Sequence, residues 1–338
     1  MHCTRLVAAA AATLTLTFAA SAAHAQQKQT VRYQEYPASM LHLSNWVMRD
    51  KGFCAKQMLD CQAVMLASGP LALQAAAAGS VDLIVSSADV MMQATAKGND
   101  LQILGTHITN NIYSLSASAE LAKLAGDQGY PGNMKVLVDK RIGVTARGSS
   151  TEMNVKALLV GAGLPTDKVT FVAVGGPGTA FAAMSAKQVD AVLSWDPLPA
   201  MCDAARTCSV FVDMGKGQGP AELKAMNGGF VVWQARREYV QKNGPVVDRF
   251  LRAHAEAVEW LQDPKNFAEA REIAGKGFKL GDMPDREQVF DKIVKSAIAS
   301  YGTKFDRKAV DGFNAFLIGN KLIDKPLVAS TLVYQNAP

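Results

Sequence analysis

Two successive stretches of the chain alternate short strand-like runs with helical ones, and this alternation limits the fold more than any other feature. In the first stretch residues 31–36, 61–67, 81–85 and 101–107 read as strands, with helices at 39–51, 70–78 and 88–97. The helix at 70–78 is so rich in alanine that it must pack closely. Residues 110–117 then read as extended and polar. The alternation starts again with strands at 141–146, 169–174, 189–194 and 210–214 and helices at 150–163, 179–187 and 197–205. A glycine-rich segment at 215–219 precedes an apolar strand at 229–235. From Arg236 onward the pattern is helical, broken at Pro264, 281–284 and Gly302. Strand–helix–strand spacing of this kind predicts parallel sheets covered by helices on both faces. The expected class is therefore α/β, with two doubly wound domains and a helical C-terminal tail.

The N-terminus has a different character. Arg5 precedes an uncharged apolar run, and Ala23-His24-Ala25 gives an A-x-A site before Gln26, the pattern of a cleaved secretory signal peptide over residues 1–25. Its apolar run is short for a membrane span, and Cys3 lies ahead of that run, so no lipid anchor is expected. Cleavage removes one Arg and no acid, taking the net charge from +5 to +4. With 49% hydrophobic and 19% charged residues the rest has ample material for a core. Its Lys and Arg are scattered without aromatic neighbours, which argues against nucleic acid. Four of the five cysteines survive cleavage, as two near pairs, Cys54 with Cys61 and Cys202 with Cys208. In an oxidising compartment these suggest local bridges, with free buried thiols as the alternative, since pairing does not follow from sequence. Neither spacing is that of a zinc knuckle, and no His flanks either pair.

A set of short motifs runs in order through this framework. Lys51-Gly52-Phe53, Ser68-Gly69, Ala78-Gly79-Ser80-Val81-Asp82 and Gly98-Asn99-Asp100 lie in the first stretch. Asp139 to Val144, Gly148-Ser149-Ser150, Ala162-Gly163-Leu164-Pro165, Ala182-Ala183-Met184 and Gln188 to Val192 lie in the second. This ordered set resembles the nitrate/sulfonate/taurine family of periplasmic binding proteins of ABC importers; the helical tail matches in character only. The resemblance implies a type II periplasmic-binding fold, two lobes joined by a two-segment hinge. Lobe 1 would comprise 26–112 plus 229–338 and lobe 2 residues 113–228, with crossings at 110–117 and 228–235. It also implies a monomeric periplasmic protein, not an enzyme, that uses no cofactor and delivers a small-molecule ligand to a membrane-embedded ABC permease. A sulfonate or taurine-like organic anion leads, ahead of an aromatic carboxylate or a pyrimidine. Two other functions stay open: an enzyme on the same scaffold, as in a pyrimidine-forming branch, and a periplasmic sensor.

Ligands of open α/β sheets bind beyond the carboxyl ends of the strands. There the sequence places Tyr36, Ser39, Ser68, Gly69, Ser86, Ser87, Gly148, Ser149, Ser150, Thr151, Gly176, Trp195 and Asp196. Most lead into helices, whose N–H groups and dipoles suit an anion. Each has a plainer reading. Ser149 with Glu152 forms a capping box, Ser68 and Ser87 are helix caps, and Asp196 caps a helix opened by Pro197. Tyr36 and Trp195 either stack on a ligand or close the core. Asp196 and Glu35 are candidate acceptors for a ligand amine, and Arg147 either neutralises an anion or is a solvated loop residue. Of the histidines left after cleavage, His42, His107 and His254, none has a partner at a spacing that argues catalysis or metal binding.

Overall fold

The computed structural model describes residues 28–338, so the signal-peptide expectation lies outside the described residues. Ten strands form: β1 Gln29–Glu35, β2 Leu59–Met65, β3 Ile84–Ser87, β4 Leu101–Ile108, β5 Ser114–Ser118, β6 Arg141–Val144, β7 Thr170–Ala173, β8 Ala191–Ser194, β9 Cys208–Asp213 and β10 Val231–Arg236. β1 pairs with β2, β10 lies between β3 and β4, and a bridge from Tyr33 to Leu83 connects the two groups. Lobe 1 therefore reads β2-β1-β3-β10-β4, and the second sheet runs β7-β6-β8-β5-β9. The two orders are the same, with one strand in each borrowed from the far side of the chain.

Those borrowed strands correct the all-parallel expectation. β10 is antiparallel to β3 and β4, and β5 is antiparallel to β8 and β9. Each enters its sheet from the other lobe and so runs against the strands formed locally. The polar stretch at 110–117 is accordingly not a free crossing, because Ser114–Ser118 is an interior strand whose first four residues are buried. The crossings shrink to the segment between β4 and β5 and the segment between β9 and β10. They are tied together at Thr109, whose carbonyl accepts the N–H groups of Gly228, Gly229 and Phe230 at 2.8, 2.9 and 3.2 Å. A helix at Ala119–Ala125, capped by Ser118, follows β5.

The tail packs on lobe 1 through the 26-residue helix Arg237–Gln262, followed by Phe267–Gly277, Arg286–Ser300 and Ala309–Gly319. Trp233 on β10 is fully buried, with the Phe250 ring at 4.8 Å and Tyr33 at 5.9 Å. Helix Arg286–Ser300 also reaches lobe 2, where it meets the helix Leu198–Ala205. Both cysteine pairs are bridged, Cys54–Cys61 and Cys202–Cys208, each within one lobe and none across the hinge. Each joins a helix to the strand that follows it.

Candidate functional site

The chain leaves β1 at Tyr36, one residue past the strand, and turns into the 3-10 segment Met40–His42. Tyr36 is held there from beneath. Its N–H donates to His42 Nε2 at 2.7 Å, and the two rings stack at 5.5 Å. Accepting at Nε2 puts the neutral ring's proton on Nδ1, which requires the Asn45 amide 3.2 Å away to turn its otherwise unpartnered oxygen toward the ring as acceptor. His107 donates from Nε2 to the Leu41 carbonyl at 2.7 Å, which leaves its Nδ1 to accept from His254 Nε2 at 3.0 Å. Burial lowers the pKa of His42 and His107 to about 3 and holds that of His254 well below its ordinary value. Ser44 Oγ lies 3.4 Å from His254, a pairing across 210 residues that no sequence spacing reveals. Both residues are fully buried, so the pair supports the lobe and has no access to a substrate.

On lobe 2 the loop after β6 satisfies itself. Ser149 caps helix Ser150–Gly161 by accepting the Glu152 N–H, and its hydroxyl donates to the Ala146 carbonyl at 2.7 Å. Thr151 Oγ accepts the Thr145 N–H at 2.9 Å. The Glu152 carboxylate receives Arg147 at 2.9 Å, the Gly148 N–H at 2.8 Å and Lys156 at 2.7 Å. Burial pushes this carboxyl up, but Arg147, Lys156 and the Gly148 N–H together hold it below its ordinary value. The helix end read as an anion seat is thus occupied by the protein's own carboxylate. Arg147 belongs to that arrangement, and Gly148 is exposed.

Ser150 is the hydroxyl of this loop that crosses between lobes. It donates to Asp89 Oδ2 at 2.6 Å, and Asn154 Nδ2 adds a second bond to the same oxygen at 3.3 Å. Asp89 also accepts the Val90 N–H at 2.7 Å and is fully buried. Burial raises its pKa, offset in part by donors from Ser150, Ser87, Val90 and Asn154. The sequence left Ser87 open between a ligand contact and a helix cap, and Ser87 makes no side-chain cap bond.

A second contact across the cleft brings Trp195 of lobe 2 onto lobe 1. Its Nε1–H donates to Ser39 Oγ at 3.1 Å, and its ring lies 5.7 Å from Tyr36 and 6.0 Å from Tyr113. Beneath these rings is a cavity of about 20 Å³, lined by Tyr36, Leu41, Ser86, Ser87, Ile112, Tyr113, Trp195 and Val231. Trp195, Leu41 and Ile112 also border a groove of about 450 Å³ on the hinge side, with Asp196, Asp203, Asp213, Lys216 and Lys292 on its walls. Asp196 accepts from Ser296 of the tail; burial raises its pKa, with Ser296 and Lys292 opposing.

The structure therefore gathers Tyr36, Ser39, Ser86, Ser87, Ser150 and Trp195 where the lobes meet. Asp196 faces the neighbouring groove. Ser68 caps helix Gly69–Ala77, Gly69 packs against Ser86, and a methyl at Gly176 would lie 3.9 Å from the Pro37 carbonyl across the cleft. Glu35 is turned into lobe 1, where Arg49 and the Trp46 N–H hold it. Tyr113, Asp89 and Asn154 are additions that the sequence did not suggest. Among the described residues no group of three or more His, Cys, Asp or Glu could hold a metal ion.

A family model described as NMT1/THI5 like matches residues 41–267. A protein of Brucella abortus (strain 2308), named as a candidate binding protein, is 26% identical over 223 residues, which are 63% of this chain and 61% of that protein. The match thus spans about three fifths of the relative's length. A solved structure from Bordetella bronchiseptica RB50 is similar with a TM-score of 0.75 at 22% identity, covering 92% of this chain and 96% of its own. The alkanesulfonate-binding protein SsuA of Xanthomonas axonopodis pv. citri, solved with MOPS bound, aligns with a TM-score of 0.68 at 19% identity, covering 92% and 99%. These likenesses establish a periplasmic-binding-protein fold.

Proposed function

The chain belongs to the NMT1/THI5-like family, and from that premise we propose that it is the solute-binding component of an ABC importer, a periplasmic clamp that closes its two lobes over a small organic ligand. The observation that carries this reading is the closure of Trp195 from lobe 2 onto Ser39 and Tyr36 of lobe 1. A sequestering clamp needs such a contact, made by side chains that part when the lobes part. The cavity of about 20 Å³ beside these rings has room for roughly one water. Any organic ligand enters with the lobes open, and closure then depends on its differential affinity for the closed form.

The ligand class we propose is a taurine-like zwitterion or sulfonate rather than a bare inorganic anion. The N-termini of helices Gly69–Ala77 and Pro177–Ser185 favour an acidic group at the rim. Deeper in, Asp89 opposes one. A thermal-shift panel of taurine, MOPS, ethanesulfonate and nitrate, with X-ray scattering on each hit, tests the reading. A ligand at ~100 times its Kd adds about 2.7 kcal/mol to stability, and compaction accompanies it. Stabilisation without compaction would count against a closing clamp.

A further inference from the structure

Resting on the reading of the molecule as a closing clamp, we propose that the ligand lies in the groove on the hinge side of Trp195, with a primary ammonium group seated against the Asp196 carboxylate beside the Ser114 hydroxyl. The gap beside the aromatic rings holds about one water. The groove, at about 450 Å³, falls in the range of small-molecule sites. Both lobes build it. Asp196, Asp203 and Asp213 stand on lobe 2, while Leu41 and helix Arg286–Ser300 belong to lobe 1. A molecule lying here touches both lobes and so favours one arrangement of them.

The ion pairs in the groove leave one acid over. Three carboxylates and two lysine ammonium groups line it. Lys216 pairs with Asp213 at 3.1 Å and Lys292 with Asp203 at 3.3 Å. Asp196 has no cation at ion-pair distance among the described residues, and the bond it accepts from Ser296 brings a hydroxyl and no charge. A largely desolvated carboxylate without a cation is costly, and a ligand cation supplies the missing charge.

Ser114 independently points to a bound polar group. It borders the groove, is 4% exposed, and its Oγ is buried without a hydrogen-bond partner. Ser114 stands opposite Asp213 across β5 and β9 and opposite Ser194 across β5 and β8, so the three side chains leave the sheet on the face where Asp213 meets the groove. The Ser194 hydroxyl is likewise buried and unpartnered. Buried hydroxyls are normally bonded. A primary ammonium brings three N–H donors to this set of carboxylate and hydroxyl oxygens. Leu41, Ile112 and Ala297 offer carbon to the alkyl chain that carries it.

Calorimetry on the mature chain tests the seat with two pairs that exchange ammonium for hydroxyl, taurine with isethionate and n-propylamine with 1-propanol. Each amine should bind more tightly than its partner, taurine by at least about tenfold. Asp196→Asn should reduce taurine affinity by about tenfold or more and leave isethionate no weaker, and Ser114→Ala should weaken taurine by about fivefold. Equal binding within the taurine pair overturns the proposal. So does equal taurine binding by the parent and Asp196→Asn, or no detectable binding of either amine. The parent protein alone decides the pairwise comparison, so a variant that fails to fold does not spare it. If isethionate binds as tightly as taurine and both compact the protein, the clamp survives and the ammonium seat falls. If taurine binds selectively without compaction, the seat stands and the clamp falls. If nothing in these pairs or the wider panel binds, both fall.

Discussion

At the scale of single residues, the loop from Gly148 to Thr151 shows how one stretch of sequence divides its work. The sequence marks all four residues as candidate contacts. The structure gives Ser149 and Thr151 to the helix end and Ser150 to the facing lobe. Ser150→Ala should leave the buried Asp89 carboxylate short of a donor only when the lobes are closed. The closed form should lose ~1–3 kcal/mol, or about 5- to 150-fold in ligand affinity. Thr151→Ala should leave affinity nearly unchanged and lower the melting temperature, because the Thr145 N–H loses its acceptor. Calorimetry and thermal melts on the two variants check this, and equal affinities for both would remove Ser150 from the closure. The serines and the Trp195 indole were legible because strand ends and helix caps leave local signatures. Asp89 was not: its partners lie 61 and 65 residues away in the other lobe, and side-chain reach across a cleft has no local pattern.

At the scale of elements, the alternation of strands and helices was legible almost throughout, since each unit carries its own periodicity and turn residues. The direction of β5 and β10 was not. An extended run reads the same whether it links two sheets or enters one backwards, and burial from both faces settled the matter only in the fold. Helix Ala119–Ala125 is too short for a repeating pattern to emerge. The crossing before β10 is tightly restricted by geometry. Gly229 has φ +157°, and a Cβ there would sit 2.3 Å from the Phe305 ring. Gly229→Ala must therefore displace a buried aromatic ring from beside the hinge. A destabilisation of about 1–3 kcal/mol is expected from the overpacking, together with an altered degree of closure, since Gly229 also donates to Thr109 between the crossings. Urea unfolding and scattering should both register the change, and a variant identical to the parent in both would show that the crossing tolerates a side chain.

At the scale of the whole molecule, the two lobes were legible as a repeat, but the core behind the cleft was not, because His42, His107 and His254 come together from the first turn, β4 and the tail. All three imidazoles are buried beneath the site, and their folded pKa values lie below the ordinary 6.5, at about 3 for His42 and His107. Between these limits the unfolded chain takes up protons that the folded chain refuses. Stability therefore rises with pH through this window and is lost as pH falls from 6.5 toward 3. One unit below 6.5, each histidine costs about 1.4 kcal/mol relative to alkaline pH. Asp89 and Asp196, whose pKa values burial raises, act in the opposite sense as pH falls. His107→Gln separates the two effects. Its amide can still donate to the Leu41 carbonyl and accept from His254, while the proton uptake of one imidazole is gone. Urea unfolding at pH 7.5 and 5.5 should show the parent losing more stability than this variant, by about 1 kcal/mol. Equal losses would mean that His107 does not govern the acid response and that its neutral, donor-to-carbonyl state is misassigned.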